Sequence, residues 1–194
     1  MRSALWLLPL LGGCATLKPP ERLDTMRLQP RFAAGAASVR PGGIIVTPVV
    51  ATGMIAERRY VYVTAADPLL LRQAATLFWD VPPSASVGRA ITDALRTRFA
   101  GMDGGPVVGR LAMRLVRFEE VTGGGGAQAV VEVEATFAGA AGQDGPVSGR
   151  YCRATPIVAD GSDARAAAFQ AGVAALALAV ADDVAAGRLT ASSC

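Results

Sequence analysis

The side chains best suited to covalent chemistry in this sequence are three thiols, at Cys14, Cys152 and Cys194. A cysteine thiolate can attack and carry a carbon group, or it can pair with a second cysteine in a disulfide. The sequence contains no histidine. That excludes Ser-His-Asp and Cys-His catalysis, histidine-ligated zinc and the usual general base near neutral pH. We therefore expect the cysteines to be modified or crosslinked rather than to catalyse a reaction.

Cys14 ends a short N-terminal segment that has the layout of a secretion signal. Arg2 supplies a positive charge, residues 4–11 are apolar, and Leu11-Gly12-Gly13-Cys14 resembles the lipobox of bacterial lipoproteins. About eight apolar residues are too few for a stable membrane span, which needs roughly 20. The alternative is an ordinary secretion signal followed by a chance cysteine. The resemblance implies cleavage before Cys14 and attachment of diacylglycerol and an N-acyl chain to this residue, with no other cofactor.

The lipobox divides the chain into residues 1–13, a lipoprotein signal peptide, residues 14–23, a lipidated tether, and residues 24–194, a single domain. Two or three acyl chains anchor a protein stably, whereas one binds only marginally. The residue after Cys14 is Ala15, and not the aspartate that would retain a lipoprotein in the inner membrane. In sorting of this type, the absence of that aspartate implies the outer membrane, with the domain facing the periplasm. The Pro-containing tether reaches only a few tens of Å at about 3.1 Å per residue.

Cys152 and Cys194 remain as an even pair in an oxidising compartment. We predict a disulfide between them that ties the C-terminal tail to the last strand. Closing a loop of about 43 residues would stabilise the fold by roughly 4 kcal/mol. The alternative is two free thiols, one in a sheet and one in a frayed terminus.

Charge and composition exclude several other functions. The net charge of +3 is small, and a nucleic-acid binder usually has a larger basic excess clustered on one face. Lys18 is the only lysine and lies in the tether, so no phosphate-binding loop of the G-x-x-x-x-G-K-[ST] type exists. The adjacent carboxylates at residues 119–120 and 182–183 cannot converge on one point. The sequence thus predicts a protein that is not an enzyme and binds neither nucleic acid nor metal.

The segments that would position these residues include a clear β-hairpin. Residues 107–118 and 128–138 alternate between apolar and charged side chains, and the glycine run at 123–126 connects them. Folding the hairpin back puts four charged residues on one face: Arg110, Arg114, Glu132 and Glu134. Opposite charges across strands contribute about 0.2–1 kcal/mol a pair. This face is the candidate interaction surface, for a partner or for a second copy of the chain, and an edge strand is the alternative surface for a second copy.

Further strands are predicted at residues 23–28, 44–50, 59–64, 70–78 and 147–155, with a turn at Asp67-Pro68. Asp80 is predicted to cap a helix that begins near Pro82-Pro83 and continues to Phe99. A second, alanine-rich helix is predicted from residue 162 to about residue 186. The predicted fold class is α+β, a two-layer α/β sandwich of a mostly antiparallel sheet with two helices packed on one face.

One stretch of this domain resembles a known family. Tyr60-Val61-Tyr62, then Leu77-Phe78-Trp79-Asp80-Val81-Pro82-Pro83 and an amphipathic helix, placed after a lipobox, are similar to the ABC-type transport auxiliary lipoproteins. That family includes the PqiC-like proteins that accompany MCE-type lipid transport systems. The resemblance covers roughly residues 23–186. The chain departs from the family pattern at Tyr62-Val63-Thr64, where an arginine would follow the tyrosine.

The resemblance implies a non-catalytic subunit. An inner-membrane ABC ATPase and permease would supply energy, and MCE-domain proteins would form a hydrophobic conduit across the periplasm. This lipoprotein would dock the conduit at the outer membrane so that phospholipids or other hydrophobic substrates pass. The alternative is an adaptor for lipopolysaccharide assembly, cell-wall synthase activation or secretion, which fold alone cannot distinguish. Trp79, with Pro82 and Pro83, is either a contact with a partner or lipid or, as we favour, part of the core.

Overall fold

Seven strands and two helices build the part of the chain that the computed structural model describes, residues 21–32, 40–139, 145–192 and 194. The strands are β1 (Asp24–Met26), β2 (Gly43–Val46), β3 (Arg59–Thr64), β4 (Asp67–Trp79), β5 (Val107–Gly123), β6 (Gly126–Gly139) and β7 (Val147–Pro156). The helices are α1 (Pro83–Arg96) and α2 (Ser162–Ala185), and a 3₁₀ turn covers Gly53–Ala56. The predicted signal peptide, Cys14 and most of the predicted tether lie outside the described residues.

All seven strands belong to one sheet, in the order β1-β4-β3-β5-β6-β7. The strand β2 pairs with the beginning of β5, on the edge where β3 pairs with its end. The pairs β3–β4, β5–β6 and β6–β7 are antiparallel, and the pairs of β1 with β4, β2 with β5 and β3 with β5 are parallel. The antiparallel ladders are the long ones, so the predicted mostly antiparallel sheet is confirmed.

The two helices cover one face of this sheet and bury its apolar side chains. Strands with period-two alternation present one apolar face, and a helix with apolar residues every three to four positions fills it. The buried contributors from strands and helices include Leu111, Met113, Leu115, Val131, Val133, Val87, Ile91, Leu95, Phe169, Val173, Leu176 and Val180. The predicted α+β two-layer sandwich is therefore the observed fold.

By length and composition α2 could cross a membrane, since it has 24 residues and contains an 18-residue window with a mean hydropathy of 1.6. Its surroundings are those of a core helix. Phe169, Val173 and Leu176 are buried against the sheet, and Asp183 near its end is hydrogen-bonded to a β7 side chain. The start at Ser162 and the end just before Gly187, whose φ is +71°, match the prediction.

The helix α1 ends at Arg96 rather than at the predicted Phe99, and two further local predictions were wrong. The turn between β3 and β4 falls at residues 65–66, and Asp67-Pro68 already begins β4. Asp80 does not cap α1, because the N-cap is Pro82 and the Asp80 carboxylate instead accepts hydrogen bonds from the Val81 N–H and from Arg27. The first turn of α1 is fixed by proline geometry at Pro82 and Pro83 rather than by a side-chain cap.

Candidate functional site

The sheet face opposite α1 and α2 carries a set of opposite charges, as predicted. In the β5–β6 ladder Arg114 lies directly opposite Glu134, and its Nη2 donates to Glu134 Oε2 at 2.6 Å. Alternation along both strands keeps these side chains on the solvent side while Leu115 and Val133 face the core. Arg110 lies on the same face but opposite Ala138, at the far end of the ladder.

The next strand extends this pattern beyond the four predicted residues. Arg150 on β7 lies opposite Glu134 and forms a salt bridge with Glu132. On β5 a bulge between Leu115 and Arg117 brings Arg117 opposite Glu132, and Arg117 Nη2 lies 2.7 Å from Glu119 Oε1. We call the set Arg110, Arg114, Arg117, Glu119, Glu132, Glu134 and Arg150 the charged face.

The C-terminal tail borders the charged face along the outer edge of β7. Arg150 N–H donates to Thr190 O at 3.1 Å, and Ser192 N–H donates to Arg150 O at 2.7 Å. Gly149 lies where the Thr190 carbonyl approaches, and a Cβ there would collide with it. The tail therefore continues the sheet by a short parallel segment and covers an edge that would otherwise be free to pair.

The predicted disulfide between Cys152 and Cys194 is present, with Cα atoms 5.2 Å apart. Cys152 lies opposite Glu132 in the β6–β7 ladder, so the bridge is at the edge of the charged face. A depression of about 490 Å³ lies between the tail and the salt bridges, lined by Arg117, Glu132, Arg150, Cys152, Ala191, Ser192 and Cys194. The crosslink thus fixes one wall of this depression.

Trp79 is at the other side of the sheet, in the core. Its side chain is 1% exposed. Its ring centroid lies 5.2 Å from that of Phe169 and 5.3 Å from that of Phe118, both edge-on. Tyr60 completes this aromatic cluster, with its ring 5.9 Å from that of Trp79. Trp79 is therefore not a surface contact in this structure, and Pro82 and Pro83 shape the first turn of α1 beside it.

A polar group that the sequence did not predict closes this aromatic cluster. Tyr60 donates its hydroxyl hydrogen to Glu120 Oε2 at 2.5 Å, and Arg165 of α2 donates to the same oxygen at 2.8 Å. Burial, together with the hydrogen bond to Glu120, raises the pKa of Tyr60 above its ordinary value. The neutral Tyr60 phenol and the Glu120–Arg165 ion pair thus satisfy each other's hydrogen-bonding groups beneath α2. The three side chains therefore stabilise the fold.

Adjacent carboxylates diverge, as predicted. Glu119 points to Arg117 on the charged face, whereas Glu120 points under α2. Asp182 pairs with Arg98, whereas Asp183 accepts a hydrogen bond from Tyr151. Within residues 21–32, 40–139, 145–192 and 194, no three histidine, cysteine or acidic residues come together as metal ligands.

Comparison with solved structures finds the same fold in a Xanthomonas campestris protein described as family DUF330. The TM-score is 0.72 at 17% identity, over 84% of this chain and 95% of that chain. The structure of an uncharacterized protein matches with a TM-score of 0.66 at 16% identity, over 84% of this chain and 99% of that chain. Likeness at such identity shows a shared fold. No family model and no curated protein matches the chain.

Proposed function

We propose that this protein is a lipid-anchored, non-catalytic docking subunit, held at the outer membrane, of an MCE/ABC-type lipid transport system. The observation that carries the proposal is the Leu11-Gly12-Gly13-Cys14 box placed ten residues before a single α+β domain. In this role the protein is an ABC-type transport auxiliary lipoprotein of the PqiC-like kind. It is held by acyl chains on Cys14 and faces the periplasm.

The described domain supports a docking role through its charged face. Arginines and glutamates alternate over three neighbouring strands on the side of the sheet away from α1 and α2, where Arg114 and Glu134 are partly exposed and Glu119 and Glu132 are buried. Electrostatically complementary surfaces of this kind set the register and orientation of a protein partner more than the raw affinity. The opposite face is filled by packed aromatic and aliphatic side chains. The transported lipid would accordingly travel in the conduit of the partner rather than through this domain.

A photocrosslinking amino acid at Arg110 in the lipidated protein, in its own cells, tests this role. We expect crosslinks to an MCE-domain protein, with the permease and ATPase recovered in the same complex. The matched control places the crosslinker at Ala175, which is exposed on α2 and on the other face of the sheet, and we expect it to capture none of them. Capture of lipopolysaccharide-assembly, cell-wall synthase or secretion proteins without an MCE protein would replace the proposal with the adaptor alternative.

The anchor has a separate test. The intact mass of the mature protein should correspond to a chain that begins at Cys14 and carries diacylglycerol and an N-acyl group. The Cys14→Ser variant should stay unprocessed and leave the outer-membrane fraction. A mature wild-type protein without added lipid mass would refute the anchor whatever the crosslinks show.

A further inference from the structure

The first half of β4, before the residues that pair with β1, carries three exposed leucines in a row. Thr64 pairs with Asp67 and Tyr62 pairs with Arg72, so the four residues of 68–71 stand opposite the single residue Val63. The excess residues loop out of the ladder, and Leu69, Leu70 and Leu71 are 99%, 51% and 39% exposed. We call residues 68–71 the leucine bulge. Consecutive exposed apolar residues mark an interaction surface in a folded protein.

The leucine bulge, the β5–β6 turn and the loop after β7 lie at the same end of the sheet. Thr64 pairs with Thr122 near the β5–β6 turn, and Gln128 near that turn pairs with Pro156 at the end of β7. The loop after β7 carries Val158, which is 91% exposed. The strands β4 and β7 are four spacings apart, about 19 Å. This end of the sheet therefore presents apolar side chains on both sides of a glycine turn.

The strand β1 begins on the side of the leucine bulge. Asp24 to Met26 pair in parallel with Leu77 to Trp79, so β1 enters the sheet from the side of the leucine bulge, and the described residues 21–23 precede it there. Phe78 pairs with Thr25 of β1 and with Arg59 at the start of β3, and Thr64 at the end of β3 adjoins the β3–β4 turn. The distance from β1 to that turn is therefore five strand residues of about 3.3 Å each, about 17 Å. The ten residues from Cys14 to Leu23 can reach about 30 Å. The lipidated residue can therefore lie level with the bulge or beyond it.

We propose that the leucine bulge inserts into the interfacial layer of the membrane that holds the lipid anchor. The occupant of this surface is a phospholipid bilayer, because the tether enters on this side and is too short to let the domain move far away. The charges beside the bulge are balanced, since Arg72 Nη2 lies 2.6 Å from Asp67 Oδ2. The proposal rests on the anchor in the proposed function and adds an orientation to it.

This orientation has a consequence for docking. With the leucine bulge and the β5–β6 turn against the bilayer, the long strands run away from the membrane. The beginning of β5 at Val107 is then the end far from the membrane. The charged face stands at the side of the domain, free to meet a partner that arrives across the periplasm.

Tryptophan fluorescence in bilayers tests the insertion. The lipidated Leu69→Trp protein is reconstituted into vesicles of phosphatidylethanolamine and phosphatidylglycerol, with and without phosphatidylcholine brominated on its acyl chains. The native Trp79 is buried and stays unquenched, and Trp6 lies in the segment predicted to be cleaved. We expect brominated lipid to remove most of the fluorescence added at position 69. The matched control is Val107→Trp, at an exposed position on the opposite end of the sheet, and its fluorescence should not change.

The outcomes separate this proposal from the proposed function. If the protein floats with the vesicles but brominated lipid quenches neither the tryptophan at position 69 nor the one at 107, the insertion is refuted and the anchor stands. If both positions are quenched alike, the orientation is refuted. If intact mass shows no lipid on Cys14, the anchor is refuted, and the insertion that rests on it falls as well.

Discussion

Tyr151 donates its phenolic hydrogen to Asp183 Oδ2 at 2.9 Å and so joins β7 to α2. The same oxygen accepts hydrogen bonds from the backbone N–H of Thr190, at 3.1 Å, and from its hydroxyl. Burial alone would raise the pKa of Asp183, but the hydrogen bonds from Thr190 and Tyr151 outweigh it and the pKa lies below its ordinary value. One carboxylate thus holds strand, helix and C-terminal tail together.

The first prediction concerns acid stability. Because the pKa of Asp183 is lower in the folded chain than in the unfolded chain, its ionised form stabilises the fold above the unfolded pKa of about 4, and this contribution is lost as pH falls through the lowered folded pKa. Asp183→Asn should reduce the free energy of unfolding by about 1–3 kcal/mol at neutral pH. The difference from the wild type should shrink in acid, as measured by urea denaturation at a series of pH values.

The neighbouring Asp182→Asn is the matched control. Asp182 is 57% exposed and pairs with the 13% exposed Arg98, so Asp182→Asn should cost less than Asp183→Asn, whose carboxylate is buried among three donors. A gap between Asp183→Asn and the wild type that stays constant into acid would contradict the role given to this carboxylate.

The second prediction concerns the disulfide. The bridge joins cysteines 42 positions apart, and by loss of chain entropy in the unfolded state it should contribute roughly 4 kcal/mol. The Cys152→Ser/Cys194→Ser double variant should unfold at a correspondingly lower denaturant concentration. Chemical denaturation of the oxidised wild type and the double variant measures the difference.

Reductant provides the control for this comparison. It should bring the wild type close to the double variant and should leave the double variant unchanged. Two alkylatable thiols in the unreduced mature protein would mean that the bridge does not form in the cell.

The sequence-based interpretation succeeded where one physical constraint acts along a single strand. The residues of β5 and β6 alternate because helices cover one face, so Leu115 and Arg114 could be assigned to opposite faces from spacing alone. It failed at the β3–β4 connection, where proline after Asp67 suggested a turn. The structure instead makes the turn at two alanines and accommodates extra β4 residues as a bulge, which depends on pairing with β3.

In the candidate site, too, residue spacing could not predict contacts between separate elements. The Arg114–Glu134 pair follows from hairpin register, but the partner of Glu132 is Arg150 on the next strand. That assignment requires the register of β7, which residue spacing leaves open. The group of Tyr60, Glu120 and Arg165 joins three elements that are far apart in sequence. The signal that could have suggested it is an acidic residue on the apolar side of β5.

The third prediction decides between the two roles considered for Trp79. Because its ring is buried among Phe118, Phe169 and Tyr60, Trp79→Ala should destabilise the domain by about 3–5 kcal/mol, and Trp79→Phe by less. Denaturation followed by circular dichroism measures both. A Trp79→Ala protein with wild-type stability that no longer crosslinks to its partner would instead identify Trp79 as a contact residue.

The fourth prediction tests whether a partner recognises the charged face. The Arg114–Glu134 pair is exposed on both sides, so Arg114→Glu, Glu134→Arg and the double swap should each change the free energy of unfolding by no more than about 1 kcal/mol. The double swap restores the pair within the sheet but inverts the charges that a partner meets. If the face docks a protein, the crosslink from position 110 to the MCE-domain protein should be lost in Arg114→Glu and should not return in the double swap. Recovery of the crosslink in the double swap would show that the pair serves only the sheet, because the partner would then be insensitive to the sign of the charge at each position.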